Sequence, residues 1–234
     1  DGANDCGALK TAHVGISLSL SEASVAAPFT SNITNISSVI IICAEDRSAL
    51  TTSFQSFKYL CYYAIIECFG VILLCIRGID YSFIMYIVND LMIVFPLALF
   101  MCYHGPYKKL SSFLPGDSLL AFPVLLSVFG QMVIGCIFVY FGQVIIKYDP
   151  NYQNTGTISA LNAGSWQPDT TTFWDGAATY YTTSVLNIFA ALAFAEGRPF
   201  RESMFNNWIF IGWALLWTLY IGFTLVAPYT DHIW

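Results

Sequence analysis

Five apolar segments constrain this chain more than any other feature of its sequence. A transmembrane helix needs about 20 predominantly apolar residues. Only 10% of the 234 residues are charged, against roughly 25% in an average soluble domain. The segments are residues 57–76, 81–103, 119–146, 176–196 and 207–228. The sequence therefore predicts a mainly α, multi-span membrane helix bundle with the lipid bilayer as its main solvent.

Residues 1–56 are more polar and form a separate part of the predicted organisation. They contain a Gly-rich turn, a helix-like stretch at residues 8–12 and an apolar strand at residues 13–18. A short helix beside a short strand is typical of an α/β unit. We therefore expect a small α/β unit in residues 1–56 and a transmembrane domain in residues 57–234.

Basic residues beside the predicted spans are distributed unequally between the two sides of the membrane. One side has Arg47, Lys58, Lys108, Lys109, Arg198 and Arg201, and the other has Arg77 and Lys147. Basic residues are enriched on the cytoplasmic side of membrane proteins. We therefore expect a multi-pass membrane protein whose N-terminal segment is cytosolic.

Charge and cysteine spacing exclude several classes of function. The formal net charge is −6, and the sequence has no Lys/Arg cluster of the kind that neutralises phosphates. No nucleic-acid partner is therefore expected. The seven cysteines form no C-x-x-C pair, which removes the simplest metal and redox interpretations.

The first nine residues, D-G-A-N-D-C-G-A-L, carry the clearest chemical pattern in the sequence. Asp1, Asn4 and Asp5 place two carboxylates and an amide on a tight turn that leads into a short helix. Mg²⁺ prefers carboxylate oxygens, and amide and helix-start N–H groups donate to phosphate oxygens. A calcium loop is the alternative, but its D-x-[DN]-x-[DN]-G-x₅-E spacing is absent.

This run resembles the G-D-G-x-N-D hinge motif of the P-type ATPases, beginning at its first Asp. The resemblance implies that Asp1 binds Mg²⁺ and that Asn4 contacts the phosphoryl group. It also implies that Asp5 stiffens the hinge and offers a second carboxylate to the metal. Residues 1–56 would then be the C-terminal remnant of a HAD-like, Rossmann-type phosphorylation domain.

Two further stretches are similar to the type V-B subgroup, the polyamine-transporting P-type ATPases of endolysosomal and vacuolar membranes. Cys6 and the E-A-S-V-A-A-P-F-T-S block at residues 22–31 separate the chain from the type V-A group. The R-S-A-L-T-T-S-F block at residues 47–54 resembles the subgroup's entry into its fifth span. Together these matches cover about the first 65 residues.

The resemblance implies an aspartyl-phosphate cycle that uses ATP and Mg²⁺ to move polyamines such as spermine and spermidine from a lumenal compartment to the cytosol. It places the phosphorylated Asp and the nucleotide-binding domain upstream in the same polypeptide. We therefore expect this chain to be a C-terminal piece that lacks ATPase activity alone. Late endosomes, lysosomes or vacuoles are the implied location.

Two acidic residues, Glu67 and Asp90, stand well inside predicted spans. An ionisable group at the bilayer centre costs about 2.5–3.5 kcal/mol on insertion scales, so such residues are usually functional. Tyr63 lies one helical turn before Glu67 on the same face. Pro96 should free the Met92 carbonyl and open the second span locally.

Aligned with the subgroup, Tyr63 and Asp90 match its cargo contacts, and Glu67 replaces a Gln. The resemblance therefore implies a transport site for a polyamine or another cation at these three residues. Lys58 is expected to snorkel to water at the end of its span. Gln131, Gln143 and Asn187 are expected to form interhelical hydrogen bonds.

Three alternatives remain open. A type V-A ATPase that removes transmembrane helices is disfavoured by Cys6 and the block at residues 22–31. A P-type pump for metal cations would be expected to carry more oxygen ligands on its last spans. A non-enzymatic membrane protein with a decayed phosphatase-like remnant would not explain why Asp1, Asn4 and Asp5 all remain.

Overall fold

The computed structural model of the chain describes residues 3–18, 25–33, 35–79, 81–116, 118–150, 152 and 174–226. Within them, five helices are long and apolar enough to cross a membrane. The predicted mainly α, multi-span bundle is therefore confirmed. Asp1 and the last two residues of the predicted fifth span lie outside the described residues.

The N-terminal part is small. After a 3₁₀ turn at Ala3–Asp5, helix α1 spans Cys6–Thr11, and strands β1 (Ile16–Ser17) and β2 (Phe29–Thr30) pair in parallel. The strand expected at residues 13–18 is thus only two residues long. This part holds the predicted phosphate and magnesium residues at its start.

The first membrane helix, α2, is a single helix of 39 residues over Ser37–Cys75. It begins twenty residues before the predicted span at residue 57, because hydropathy marks where lipid contact starts and not where helical hydrogen bonding starts. At 1.5 Å per residue, α2 is about 58 Å long, well beyond the roughly 30 Å hydrocarbon core. Its first half therefore extends beyond the membrane and joins the span without a break.

The remaining spans follow in order. The second consists of α3 (Phe83–Ile87), a π-helical segment (Val88–Val94) and α4 (Phe95–Met101). The last three are α5 (Phe122–Ile145), α6 (Trp174–Phe194) and α7 (Trp208–Val226). Helices α2, α5 and α6 pack against one another, and α7 packs against α4 and α6.

Helices α2 and α5 approach closely at Gly135. A Cβ atom there would lie 2.5 Å from Ile66 Cδ1 and 2.7 Å from the Tyr62 hydroxyl. Small residues at membrane helix crossings allow this approach. The crossing fixes the part of α2 that precedes Glu67.

The second span is opened locally near Pro96, as the sequence predicts. The Phe95 N–H donates to the Asp90 carbonyl, a π-type bond. The Met92 carbonyl accepts a hydrogen bond from the indole N–H of Trp213 on α7, at 2.9 Å. Because Pro96 has no N–H to donate to this carbonyl, the indole N–H supplies a hydrogen bond that the usual helical donor cannot.

Polar contacts tie α2 to the loops at the end of the bundle where α4 and α6 terminate. Arg201 is 0% exposed and donates to Gln55 Oε1 and, at 2.7 Å, to the Met101 carbonyl. Lys58 does not snorkel as expected, since it is 8% exposed and pairs with Glu196 at 2.5 Å. Burial lowers the pKa of the neighbouring His104, although a hydrogen bond to the Met101 carbonyl opposes that shift.

An ion pair links two helices at the opposite end of the bundle. Arg77, just after α2, pairs with the buried carboxylate of Asp175 in the first turn of α6. The Tyr152 hydroxyl donates to the second oxygen of the same carboxylate at 2.9 Å. Both ends of α2's membrane span are therefore held by polar contacts to other elements.

Candidate functional site

The two acidic residues inside the membrane spans lie in one polar cluster between α2 and the π-helical segment. The Tyr63 hydroxyl on α2 donates to Asp90 Oδ1 at 2.7 Å. The structure thus brings together Tyr63, Glu67 and Asp90, which the sequence singles out as candidate cargo contacts. Their role in transport remains a prediction.

Asn89 connects the cluster. Its amide nitrogen donates to Glu67 Oε2 at 3.2 Å and to Asp90 Oδ1 at 3.3 Å. Its amide oxygen accepts from the Ser184 hydroxyl on α6 at 3.2 Å. Sequence reasoning did not assign a role to Asn89 or Ser184, and the adjacency of Asn89 to Asp90 in an apolar span was the available signal.

Neither carboxylate has a basic partner within the part of the chain that the structure describes; the salt bridges found there are Lys58–Glu196 and Arg77–Asp175. Glu67 and Asp90 are half-buried rather than enclosed. Two carboxylates without a countercharge are costly in a membrane interior. A cationic ligand that reaches both would offset that cost.

Aromatic groups lie beside the carboxylates. Tyr63 already contacts Asp90, and Tyr86, one turn before Asp90 along the chain, stacks edge-on with Tyr81 at a centroid distance of 5.2 Å. Aromatic faces attract ammonium groups. The cluster can therefore bind an organic cation through charge, hydrogen bonds and cation–π contact.

The other predicted interhelical hydrogen bonds have mixed outcomes. The Gln143 amide on α5 donates to the Thr179 hydroxyl on α6 at 2.9 Å, as expected. Gln131 and Asn187 form no such bond among the described residues. The expectation is therefore wrong for these two.

The N-terminal motif stands apart from the membrane cluster in sequence. Asn4 and Asp5 share the 3₁₀ turn before α1, and both side chains are exposed. Their amide and carboxylate oxygens on an exposed turn fit Mg²⁺, and the Asn4 amide N–H can donate to a phosphate oxygen. Asp1, the predicted magnesium ligand, lies outside the described residues.

The chain is similar to several named proteins, although no protein-family profile matches it. It is 37% identical over 246 residues to the mouse (Mus musculus) protein named probable cation-transporting ATPase 13A4. It is 33% identical over 243 residues to the human (Homo sapiens) polyamine-transporting ATPase 13A3. The match covers 99% and 97% of the chain respectively, and 20% of each relative.

A yeast (Saccharomyces cerevisiae) relative, vacuolar cation-transporting ATPase YPK9, is 35% identical over 211 residues, covering 90% of the chain and 14% of the relative. Over nearly its whole length, the chain is therefore homologous to a part of P-type cation-transporting ATPases. More particularly, its relatives are the 13A proteins, of whose length it spans about a fifth.

Proposed function

We propose that the chain is the C-terminal, membrane-embedded part of a type V-B P-type ATPase that moves polyamines from a lumenal compartment to the cytosol. The observation that carries the proposal is the pair of carboxylates, Glu67 and Asp90, bridged by Asn89 and lacking a basic partner among the described residues. A polyamine supplies several positive charges on one flexible chain. It therefore suits two separated carboxylates better than a single metal ion does.

Glu67 adds a second carboxylate to the site, in place of the Gln that the resemblance predicts. In this proposal, one ammonium group binds near Asp90 and Tyr63, and another binds near Glu67. Charge-assisted hydrogen bonds of this kind are stronger than neutral ones. The extra carboxylate should favour amines with more positive charges.

The energy source in this proposal is an aspartyl-phosphate cycle in the whole polypeptide. Asp1 and Asp5 would hold Mg²⁺, which neutralises phosphate charge when it is bound. Asn4 would donate to the phosphoryl group through its amide. ATP would bind to upstream parts of the same polypeptide, so we expect the chain alone not to hydrolyse ATP.

The names of two relatives support the proposed polyamine substrate and the proposed membrane location. One is named a polyamine-transporting ATPase and another a vacuolar cation-transporting ATPase. We therefore propose a late endosomal, lysosomal or vacuolar membrane as the location, with residues 1–56 in the cytosol.

The test is ATP hydrolysis by the full-length protein in lipid or detergent micelles. Spermine should stimulate turnover, and Asp90→Asn should raise the half-maximal spermine concentration about tenfold, because a charge-assisted hydrogen bond is lost. Asp46→Asn is the matched control, since Asp46 is exposed on the first half of α2. If spermine leaves turnover unchanged while a different cation stimulates it, the polyamine proposal fails.

Two relatives are named cation-transporting ATPases, and because that name fits a metal cation as well as a polyamine, a metal-cation pump is the second candidate. Against it, the described residues contain no group of three or more His, Cys, Asp or Glu side chains able to hold a metal ion. Stimulation of the same enzyme by a metal ion and not by spermine would decide for this candidate.

A further inference from the structure

Asn187 on α6 is a buried amide without a hydrogen bond. It is 0% exposed, and neither its Nδ2 nor its Oδ1 atom has a partner among the residues that the structure describes. A buried amide left unpaired loses the hydrogen bonds that it makes with water, and this costs stability. A polar group that reached this amide inside the bundle would offset that cost.

Helix geometry fixes the direction of Asn187. Thr183 faces α2, because a Cβ atom on Gly70 would lie 3.4 Å from Thr183 Cγ2. Ser184 faces the π-helical segment, since its hydroxyl donates to Asn89. At about 100° per residue, Asn187 points about 40° from Thr183 and about 60° from Ser184, between these two directions. The amide is therefore directed at the boundary between α2 and the π-helical segment, where Glu67 and Asp90 also lie.

Asn187 is also displaced along the bundle from Ser184. It lies three residues beyond Ser184, about 4.5 Å along the α6 axis toward Phe194. Ser184 is itself joined through Asn89 to both carboxylates. Asn187 thus extends the polar cluster by one helical turn toward the end that holds Arg201.

We propose that Asn187 is a specificity-determining residue that binds a linear oligoamine long enough to extend past the carboxylate pair. This proposal rests on the proposed function and deepens it. The Asn187 amide oxygen accepts a hydrogen bond from an ammonium group one step along the amine chain from the two groups held at Glu67 and Asp90. A diamine held by the two carboxylates has no further amine to place there, whereas a tetraamine does.

The experiment compares putrescine, with two amines, and spermine, with four, as stimulators of ATP hydrolysis by the full-length protein. Asn187→Leu should raise the half-maximal concentration of spermine about tenfold and leave that of putrescine unchanged. Asn187→Asp keeps the acceptor and adds charge, so it should lower the value for spermine. Thr182→Val is the matched control, because Thr182 lies on the same helix but its hydroxyl bonds the Ala178 carbonyl and packs against Gly142 of α5.

The outcomes separate this proposal from the one on which it rests. If neither amine stimulates the unaltered protein, both proposals fail. If both amines stimulate it but Asn187→Leu shifts them equally, Asn187 binds an internal water or only packs, and this proposal alone is overturned. If Asn187→Leu does not fold, Asn187→Asp decides, and an unchanged ratio of spermine to putrescine then overturns the assignment.

Discussion

Trp213 and Trp217 lie one turn apart on α7 but have different partners. The Trp213 indole N–H donates to the Met92 carbonyl at 2.9 Å, whereas the Trp217 indole N–H has no hydrogen-bond partner in the described part of the chain. The two residues therefore offer the same substitution with and without the loss of a hydrogen bond. The Met92 carbonyl is one that Pro96 cannot pair within its own helix.

Trp213→Phe should lower the stability of the protein by about 1 kcal/mol, because it removes the indole hydrogen bond to the Met92 carbonyl. Trp217→Phe removes an equal amount of side chain and no hydrogen bond, so its cost should be smaller. Thermal unfolding in detergent, followed by intrinsic fluorescence or circular dichroism, measures both. Equal losses of stability would show that the Met92 bond contributes nothing.

The sequence identified the acidic residues of the candidate site but not the residue that joins them. The spacing of Tyr63 and Glu67 places them on one face of a helix, and this can be read locally. The contact of Asn89 with Glu67 depends on the rotation of one span relative to another. The π-helical turns change that rotation, and no spacing rule within a single helix predicts it.

At the scale of elements, the crossing of α2 and α5 depends on a glycine. Gly135 leaves no room for a Cβ atom beside Ile66 and Tyr62, while Gly130 on the same helix has nothing within 4 Å of its Cβ position. Both glycines lie in the interior of α5, where alanine has the higher helix propensity. Space around the added methyl group is therefore the main difference between them.

Gly135→Ala should destabilise the bundle by about 1–3 kcal/mol, the usual cost of overpacking. Gly130→Ala should be neutral or stabilising by up to about 1 kcal/mol, because only helix propensity changes. Detergent melting of the two variants gives the comparison. A stabilised Gly135→Ala would mean that the two helices separate without cost.

Hydropathy predicted the five spans but not the full extent of α2. The residues at Ser37–Ser56 are mixed in polarity, so no lipid-facing window covers them, yet they continue the same helix. Backbone hydrogen bonding does not require apolar side chains. The apolar pattern therefore located the membrane part of each helix and left its water-exposed extension unpredicted.

At the scale of the whole molecule, the end of the bundle near Arg201 should be sensitive to pH through His104. Burial lowers the pKa of His104 from its usual range, which is near 6.5. The unfolded chain therefore binds a proton at a higher pH than the folded one does. Stability from this residue is present above about pH 6.5 and is lost as the pH falls below it.

The melting temperature in detergent should thus fall more between pH 7.5 and pH 5.5 for the unaltered protein than for His104→Gln. The difference between the two proteins isolates the contribution of His104 from that of other titrating groups. Parallel curves for both proteins would contradict the expectation.

Because α2 is one continuous helix, a rigid tilt at its closest crossing with α5 would have its pivot beside the candidate site. Its tight crossing with α5 is at Ile66, next to Glu67, while Ser37 is about 43 Å away along the helix axis. A tilt about that pivot swings the Ser37 end widely but leaves Glu67 almost in place. To separate Tyr63 from Asp90, a force applied at the far end must therefore turn α2 about its own axis or slide it lengthwise.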